Sequence, residues 1–198
     1  MEAIADPAPA MATPAQRASA IEAALISRGI ASVEAVDERV HLGDDVWVPE
    51  RGARVVAKAW LDPEFRARLL ANGKAAVAEL GIELPVHHRH LVVLENTNEV
   101  HNVICCTLCS CTALTVIGLP PDWYKDLEYR ARVVRESRTV LREMGLSLPP
   151  DVEIRVWDTT ADTRYMVLPQ RPTRTEGWTE EQLGALVTKD AMIGVARL

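Results

Sequence analysis

Apolar residues recur at helical spacing through the N-terminal part of the chain. In AQRASAIEAALISRG they fall three or four positions apart. Thr13 and Pro14 are placed to begin this helix and Gly29 to end it, and Ser32 can begin a second short helix over VEAVDERV. The pattern predicts a helical arm over residues 1–49. Its apolar face needs a partner surface, unless the arm folds back on the chain's own core.

Two stretches of this arm lack periodic apolar positions. Residues 1–13 are rich in alanine and proline, which predicts disorder. The segment HLGDDVWVPERG predicts a loop, so that helix resumes only from Gly52. A second domain is therefore expected over residues 50–198.

The second domain begins with helical patterns and continues with strands. ARVVAKAWL predicts one helix, and Asp62 and Pro63 are placed to begin the next, with KAAVAELG after it. HLVVLEN and EVHNVIC have strand-like composition and are separated by the turn residues ENTNE. The four cysteines follow the second of these strands directly.

The remainder of the chain alternates between helix and strand patterns. A proline pair opens GLPPDWYKDLEYRARVVRESRTVLREMG, which predicts a helix broken near Glu136, whose charged YRARVVRESR segment forms a solvated or subunit-facing side. VEIRVWDTTADTRYMVLP predicts a β-hairpin, and Thr179 is placed to begin the last helical segment. Helices, strands and helices in succession predict an α+β fold, a layered α-β-β-α domain with an extended helical N-terminal arm.

Composition and charge narrow the classes of function. The net charge is −6, which argues against a nucleic-acid partner. No run approaches the roughly 18 apolar residues of a membrane span, and the N-terminus lacks the pattern of a secretory signal. We therefore expect a cytoplasmic protein without a membrane partner. In that reducing compartment clustered cysteines indicate metal binding or catalysis.

All four cysteines lie within residues 105–111, in ICCTLCSC. The spacing Cys106-x-x-Cys109-x-Cys111, here called the claw, can bring three sulfur atoms around one soft metal ion. Zinc in a Cys3His site with His101 and a redox-active dithiol are the alternatives that the spacing leaves open. Cys105 is expected to be a small buried apolar residue.

The residues around the claw resemble the α subunit of nitrile hydratase. The resemblance covers about residues 50–198 and rests on CTLCSC, GLPPDWYKDLEYRARVVRE, NGKAAVAELG, VEIRVWDTTADTRYMVLPQRP and EGWTEEQLGALVTKDAMIGVA. Thr107, the second residue of the motif, is similar to the cobalt class, whereas the iron class carries serine there. The resemblance implies hydration of a nitrile to an amide at one Co³⁺ ion per chain, with iron less favoured.

The resemblance also assigns roles to residues. It implies that Cys106, Cys109 and Cys111 supply sulfur ligands and that Ser110 and Cys111 supply backbone nitrogen ligands. Cys109 is expected as a sulfinic acid and Cys111 as a sulfenic acid, and Cys111, Cys109 and Ser110 form the catalytic group. The family also implies a β subunit, in one chain or two, that contributes arginines, and an activator protein that inserts the metal. The chain alone is expected to be inactive.

Three positions depart from the familiar pattern. Leu114 stands where relatives have a pocket tryptophan and Thr115 where they have proline, which predicts room for a bulky substrate such as a heteroaromatic or nucleoside-like nitrile. Compensation by a larger β-subunit residue is the alternative. His87 aligns with a pocket glutamine of some relatives, although PVHHRH also fits a solvated loop.

Thiocyanate hydrolase, whose metal-bearing subunit has the same claw, is the alternative enzyme.

Overall fold

A computed structural model describes residues 12–198 of the protein. These residues belong to two compact units, one ending at Leu42 and one beginning at Gly43. The predicted disorder of residues 1–13 falls almost entirely outside the described residues, and the predicted boundary after residue 49 stays a prediction. Within residues 12–198 no helix combines the length and the apolar character that crossing a lipid bilayer requires.

The described part of the first unit, from residue 12, contains two helices with the predicted starting residues. Helix α1 spans Pro14–Ser27, and the Thr13 hydroxyl accepts a hydrogen bond from the N–H of Gln16 while the Gln16 side chain accepts one from Thr13. Helix α2 spans Val33–His41 and is capped by Ser32. Neither helix has a buried residue. The two helices therefore form without an apolar core of their own.

The second unit begins with a helical turn and three helices. A single π-helical turn covers Leu42–Val46, and helix α3 spans Pro49–Leu61. The predicted loop over residues 41–52 is therefore confirmed only at residues 47 and 48, because Leu42–Val46 are π-helical and Pro49 begins α3 at the first helical position. Gly52 is buried in that helix, and a Cβ there would lie 2.6 Å from the Met192 sulfur. Helices α4, begun as predicted by Asp62 and Pro63, and α5 follow at Pro63–Ala71 and Gly73–Ala78.

Within the described residues, four strands form two separate parallel pairs. Strands β1 (His90–Glu95) and β2 (Val100–Cys105) occur as predicted, and β3 (Glu153–Asp158) and β4 (Thr163–Leu168) follow later in the chain. Strand β1 pairs with β4, and β2 pairs with β3. The unit is thus a mixture of helices and strands, whereas the predicted α-β-β-α layering stays a prediction.

The predicted hairpin over β3 and β4 is wrong. The alternating pattern located both strands correctly but carried no information about their partners. The N–H of Thr159 donates to the carbonyl oxygen of Cys105 at 3.0 Å, so that the β2–β3 ladder continues past the end of β3. The chain then crosses to the other pair instead of turning back.

The second unit contains five further helices. The predicted break in the long helix α8 is confirmed, because Glu136 has non-helical angles of φ −139° and ψ 43°. Thr179 caps helix α9 as predicted. The helices are α6 at Leu114–Ile117, α7 at Asp122–Lys125, α8 at Leu127–Glu143, α9 at Glu180–Gly184 and α10 at Lys189–Ile193.

The C-terminal end of α10 lies directly against strand β2. Gly194 has φ +95°, and a Cβ at this position would lie 2.0 Å from the carbonyl oxygen of Asn102. The Gly194 carbonyl accepts a hydrogen bond from His101 Nε2 at 2.8 Å. This close approach fixes the strand from which the cysteine segment emerges.

Candidate metal centre

The cysteine segment begins where strand β2 ends. In the parallel register Cys105 lies opposite Asp158, so the ends of β2 and β3 meet at one edge. All four cysteines are free thiols. Cys105 and Cys106 are buried, Cys111 is half-buried and Cys109 is exposed. Cys105 is therefore the buried small residue that the sequence predicts.

The three claw sulfur atoms converge on one point. The Sγ atoms of Cys106 and Cys109 lie 3.4 Å apart, and those of Cys109 and Cys111 lie 3.0 Å apart. All three lie within 4.8 Å of one another. These distances are too long for disulfide bonds, which measure about 2.05 Å. Three converging thiols are a suitable donor set for a soft or borderline metal ion.

The pKa values of the first and last thiols of the claw, Cys106 and Cys111, are shifted in opposite directions. Burial opposes ionisation of Cys106, but hydrogen bonds from the Thr159 hydroxyl and from the backbone amides of Cys111 and Cys109 outweigh it and lower the pKa of the Cys106 thiol to about 7. Burial, together with a hydrogen bond to Cys109, raises the pKa of Cys111 to about 11. The claw therefore offers one readily formed thiolate close to a thiol that retains its proton.

Backbone amides of the claw face its first sulfur. The N–H of Cys109 donates to Cys106 Sγ at 3.3 Å, and the backbone N–H of Cys111 also contributes to the lowered pKa of this thiol. Ser110 lies between these two residues and is half-buried. The loop thus directs main-chain nitrogen as well as sulfur towards the centre of the claw.

Side chains from other elements hold the claw backbone. Tyr124, fully buried in α7, donates its hydroxyl to the carbonyl oxygen of Cys111 at 3.1 Å. The Thr159 hydroxyl lies 3.3 Å from the carbonyl oxygens of Cys105 and Cys111. Asp158 accepts hydrogen bonds from the N–H and the hydroxyl of Thr107. None of these contacts is encoded in the local spacing of the cysteines.

The position of Arg130 differs from the sequence prediction for its helix. The charged YRARVVRESR segment of α8 was expected to form a solvated or subunit-facing side. Arg130 instead donates to the carbonyl oxygens of Cys106 and Thr107, each at 2.9 Å, and is half-buried. One charged residue among several on a helix does not show whether its side chain points inward or towards solvent. The sequence therefore does not predict this contact of Arg130.

His101 does not complete a zinc site with the claw. It is fully buried, and its Nε2 donates to the Gly194 carbonyl at 2.8 Å. Its Nδ1 lies 3.2 Å from the Asn96 amide nitrogen and accepts from it. Burial lowers the pKa of His101, which keeps the ring neutral. Both ring nitrogens are engaged away from the sulfurs, so the Cys3His alternative is wrong.

The predicted pocket residues have different environments. His87 is exposed, whereas the neighbouring His88 is buried and burial lowers its pKa to about 4. The expectation of a solvated loop therefore fails for His88. Leu114 is half-buried as the first residue of α6, and Thr115 after it is buried. A substrate pocket lined by Leu114 and His87 stays a prediction.

The chain is similar to proteins of one family. The family model described as "Nitrile hydratase, alpha chain" matches residues 12–196. The low-molecular-weight cobalt-containing nitrile hydratase subunit alpha of Rhodococcus rhodochrous is 50% identical over 182 residues, covering 92% of this chain and 87% of that protein. The structure of a double mutant of the Fe-type nitrile hydratase from Comamonas testosteroni Ni1 has a TM-score of 0.90 and 55% identity, covering 94% of this chain and 92% of that chain.

A second enzyme is also related to this chain. The thiocyanate hydrolase subunit gamma of Thiobacillus thioparus is 44% identical over 158 residues, covering 75% of this chain and 65% of that protein. Both sets of relatives therefore extend across the claw and most of the second unit.

Proposed function

The chain belongs to the nitrile hydratase alpha-chain family, and from this premise we propose that it is the metal-bearing subunit of a cobalt nitrile hydratase. The reaction adds water across the carbon–nitrogen triple bond of a nitrile and gives the corresponding amide. The observation that carries the proposal is the convergence of three thiols, all within 4.8 Å of one another, at the end of a parallel strand pair.

The chain's own donors fit a thiophilic ion. Cys106, Cys109 and Cys111 would bind it through sulfur, and Ser110 and Cys111 through backbone nitrogen. Bound there, trivalent cobalt would supply Lewis acidity towards a nitrile or a water molecule. Cobalt, one ion per chain, is favoured by Thr107 and by the cobalt-containing relative at 50% identity, although the chain is also 55% identical to an iron-type structure.

The reactive groups that we assign to the chain are oxidised sulfurs. Cys111 as a sulfenate would present an oxygen that acts as nucleophile or base towards the nitrile carbon or an attacking water. Cys109 as a sulfinate and Ser110 would complete the catalytic group. Cys109 is exposed, which suits a thiol that must meet an oxidant, whereas buried Cys105 is protected from the same reaction.

We assign to Leu114 the role of determining which substrate size fits the site. A leucine in place of an indole leaves room on an apolar wall, and we propose that a bulky heteroaromatic or nucleoside-like nitrile occupies it, with His87 near the entrance. The matched test is Leu114→Trp. It should lower kcat/KM for a bulky aromatic nitrile and leave a small aliphatic nitrile nearly unaffected. Equal effects on both substrates would remove Leu114 from the specificity argument.

Partners complete the proposal. We propose that the chain acts only with a β subunit, in one or two chains, that an activator protein inserts the metal, and that the enzyme works in the cytoplasm. The oxidised sulfurs would carry negative charge; Arg130 is engaged with carbonyl oxygens, and Arg164 is the arginine of this chain whose charge lowers the pKa of Cys111. Cationic partners from another subunit would balance that charge.

The deciding experiment is production of the chain with its partner subunit in cobalt medium. Amide formed from a nitrile panel, together with one cobalt per chain, is the expected result. Carbonyl sulfide and ammonia from thiocyanate, without amide from nitriles, would favour the thiocyanate hydrolase alternative. One zinc per chain and no cobalt would contradict the enzyme assignment.

A further inference from the structure

The guanidinium group of Arg130 binds two consecutive carbonyl groups at the start of the claw. Its Nε donates to the Cys106 carbonyl oxygen and its Nη2 to that of Thr107, each at 2.9 Å. Arg130 is fixed in the first half of α8, before the break at Glu136. A planar guanidinium has its donors in a rigid fork, so that this contact sets the orientation of both peptide groups.

The same peptide segment is held from strand β3. Asp158 Oδ1 accepts the N–H of Thr107 at 2.9 Å, and its Oδ2 accepts the Thr107 hydroxyl. Thr107 is therefore bound through its carbonyl by Arg130 and through its amide and hydroxyl by Asp158. Two elements far apart in sequence thus fix the residue that follows the first sulfur ligand.

We propose that Arg130 is a positioning residue of the metal centre, acting through the backbone of Cys106 and Thr107 and touching neither ion nor substrate. This inference rests on the proposed function of the claw. By fixing the Cys106 backbone, Arg130 keeps Cys106 Sγ 3.4 Å from Cys109 Sγ before a metal enters. A preformed donor set loses less conformational entropy when an ion binds.

Two substitutions separate geometry from charge. Arg130→Lys keeps the positive charge but replaces the fork with a single ammonium group, and Arg130→Gln removes the charge as well. Arg135→Gln is the matched control, because Arg135 is exposed on the same helix and donates only to the Ala131 carbonyl of its own helix. A positioning role predicts impairment by both Arg130 variants, with lysine the milder.

The test is Cd²⁺ titration of the metal-free complex of the full chain with its partner subunit, followed by thiolate-to-cadmium absorption. We expect Arg130→Gln to weaken Cd²⁺ binding by about tenfold, the effect typical of groups that orient ligands, Arg130→Lys to fall between, and Arg135→Gln to match the wild type. Circular dichroism and the thermal midpoint of each variant are measured in parallel.

The outcomes are distinguishable. The inference would be overturned if a folded Arg130→Gln or Arg130→Lys complex bound Cd²⁺ with wild-type affinity. A lower thermal midpoint in that variant would not rescue it. Equal weakening in Arg135→Gln would overturn it as well, because the effect would then not be specific to the claw contact. A wild-type complex that binds no Cd²⁺ at the claw would instead remove the proposed metal function itself.

Discussion

The two halves of the cysteine segment are built differently. In residues 105–107 each carbonyl oxygen accepts a hydrogen bond from another element, and Cys106 is only 2% exposed. In residues 108–110 the sulfur of Cys109 lies within hydrogen-bond distance of the other two claw sulfurs, and Leu108 is 86% exposed. The first half is therefore anchored by the fold, whereas the second is left open for metal, oxidant, substrate and partner.

This difference shows what a metal centre on a short loop requires. The claw supplies its donors from six consecutive residues, but their local spacing does not hold them in place. Side chains of α8 and β3 supply the missing constraints at the anchored half, and Tyr124 of α7 holds the carbonyl oxygen of Cys111 at the far end of the claw. The open half can then remain accessible without loss of the site's shape.

The largest expected effect comes from removing the buried sulfur of the anchored half. Cys106→Ala should abolish stoichiometric metal binding, because the two remaining thiols cannot enclose the ion. Cys105→Ala is the matched control, since Cys105 is buried next to it but is not one of the three cysteines whose sulfurs converge. It should retain one metal per chain and lose about 1 kcal/mol of stability. Elemental analysis and urea unfolding measure both results, and metal retained by Cys106→Ala would refute the assignment.

Lowering the pH should reduce the stability of the fold through protonation linked to buried His88, before carboxylates are protonated. Burial, with contributions from Arg164, His87 and Lys74, lowers the pKa of His88 from 6.5 to about 4. The unfolded chain therefore binds the proton more readily, and the free energy of unfolding should fall as pH drops from 6.5 towards 4, by up to about 1.4 kcal/mol per pH unit. His88→Gln should reduce this dependence and leave the part that buried His101 contributes through its own lowered pKa.

His90→Gln is the control for this experiment, since His90 is exposed. Urea unfolding curves at intervals between pH 7 and about 4.5 separate the histidine effect from carboxylate protonation at lower pH. A wild-type curve that stays flat over this range would show that His88 is not buried in its neutral form.

The contact between Asp158 and Thr107 should have a smaller effect. Asp158→Asn exchanges one carboxylate oxygen for a donor group, so one of the two hydrogen bonds is lost, at a cost of about 1 kcal/mol. Hydrogen exchange at the Thr107 amide should accelerate while Cys109 exchange stays the same. Asp151→Asn, at an exposed turn, is the control. Unchanged exchange at Thr107 would mean that Asp158 does not anchor this half.

The smallest effect is expected for Thr107→Ser. Serine keeps both the amide and the hydroxyl bonded to Asp158, so stability should change by no more than about 0.5 kcal/mol. Thr107→Val, which lacks the hydroxyl, should be less stable than the serine variant. Thermal unfolding of the pair gives the comparison, and equal midpoints would indicate that the hydroxyl contributes nothing to the anchored half.

The sequence was sufficient for local features and insufficient for distant ones. Helix starts at Thr13, Ser32, Asp62 and Thr179 were predictable because a capping side chain bonds to backbone within three residues. The break at Glu136 was also predicted. The parallel pairing of the strands was not, since alternation shows that a strand has a buried face but not which strand lies beside it.

The candidate site also has features that the sequence predicts and features that only the folded structure shows. Its sulfur ligands follow from the spacing of Cys106, Cys109 and Cys111, and the resemblance to a known family assigns their chemistry. Arg130 and Asp158 reach the claw from positions more than 20 residues away, through contacts that depend on the tertiary fold. No periodicity in the chain marks them, so only the folded structure connects them to the claw.

The most direct test of the account is X-ray absorption spectroscopy at the metal edge of the cobalt-loaded complex, with mass analysis of the claw peptide. The account predicts cobalt bound by three sulfur donors together with lighter atoms, with two oxygens added to Cys109 and one to Cys111. Zinc enclosed by four protein ligands, with every cysteine unoxidised, would contradict it.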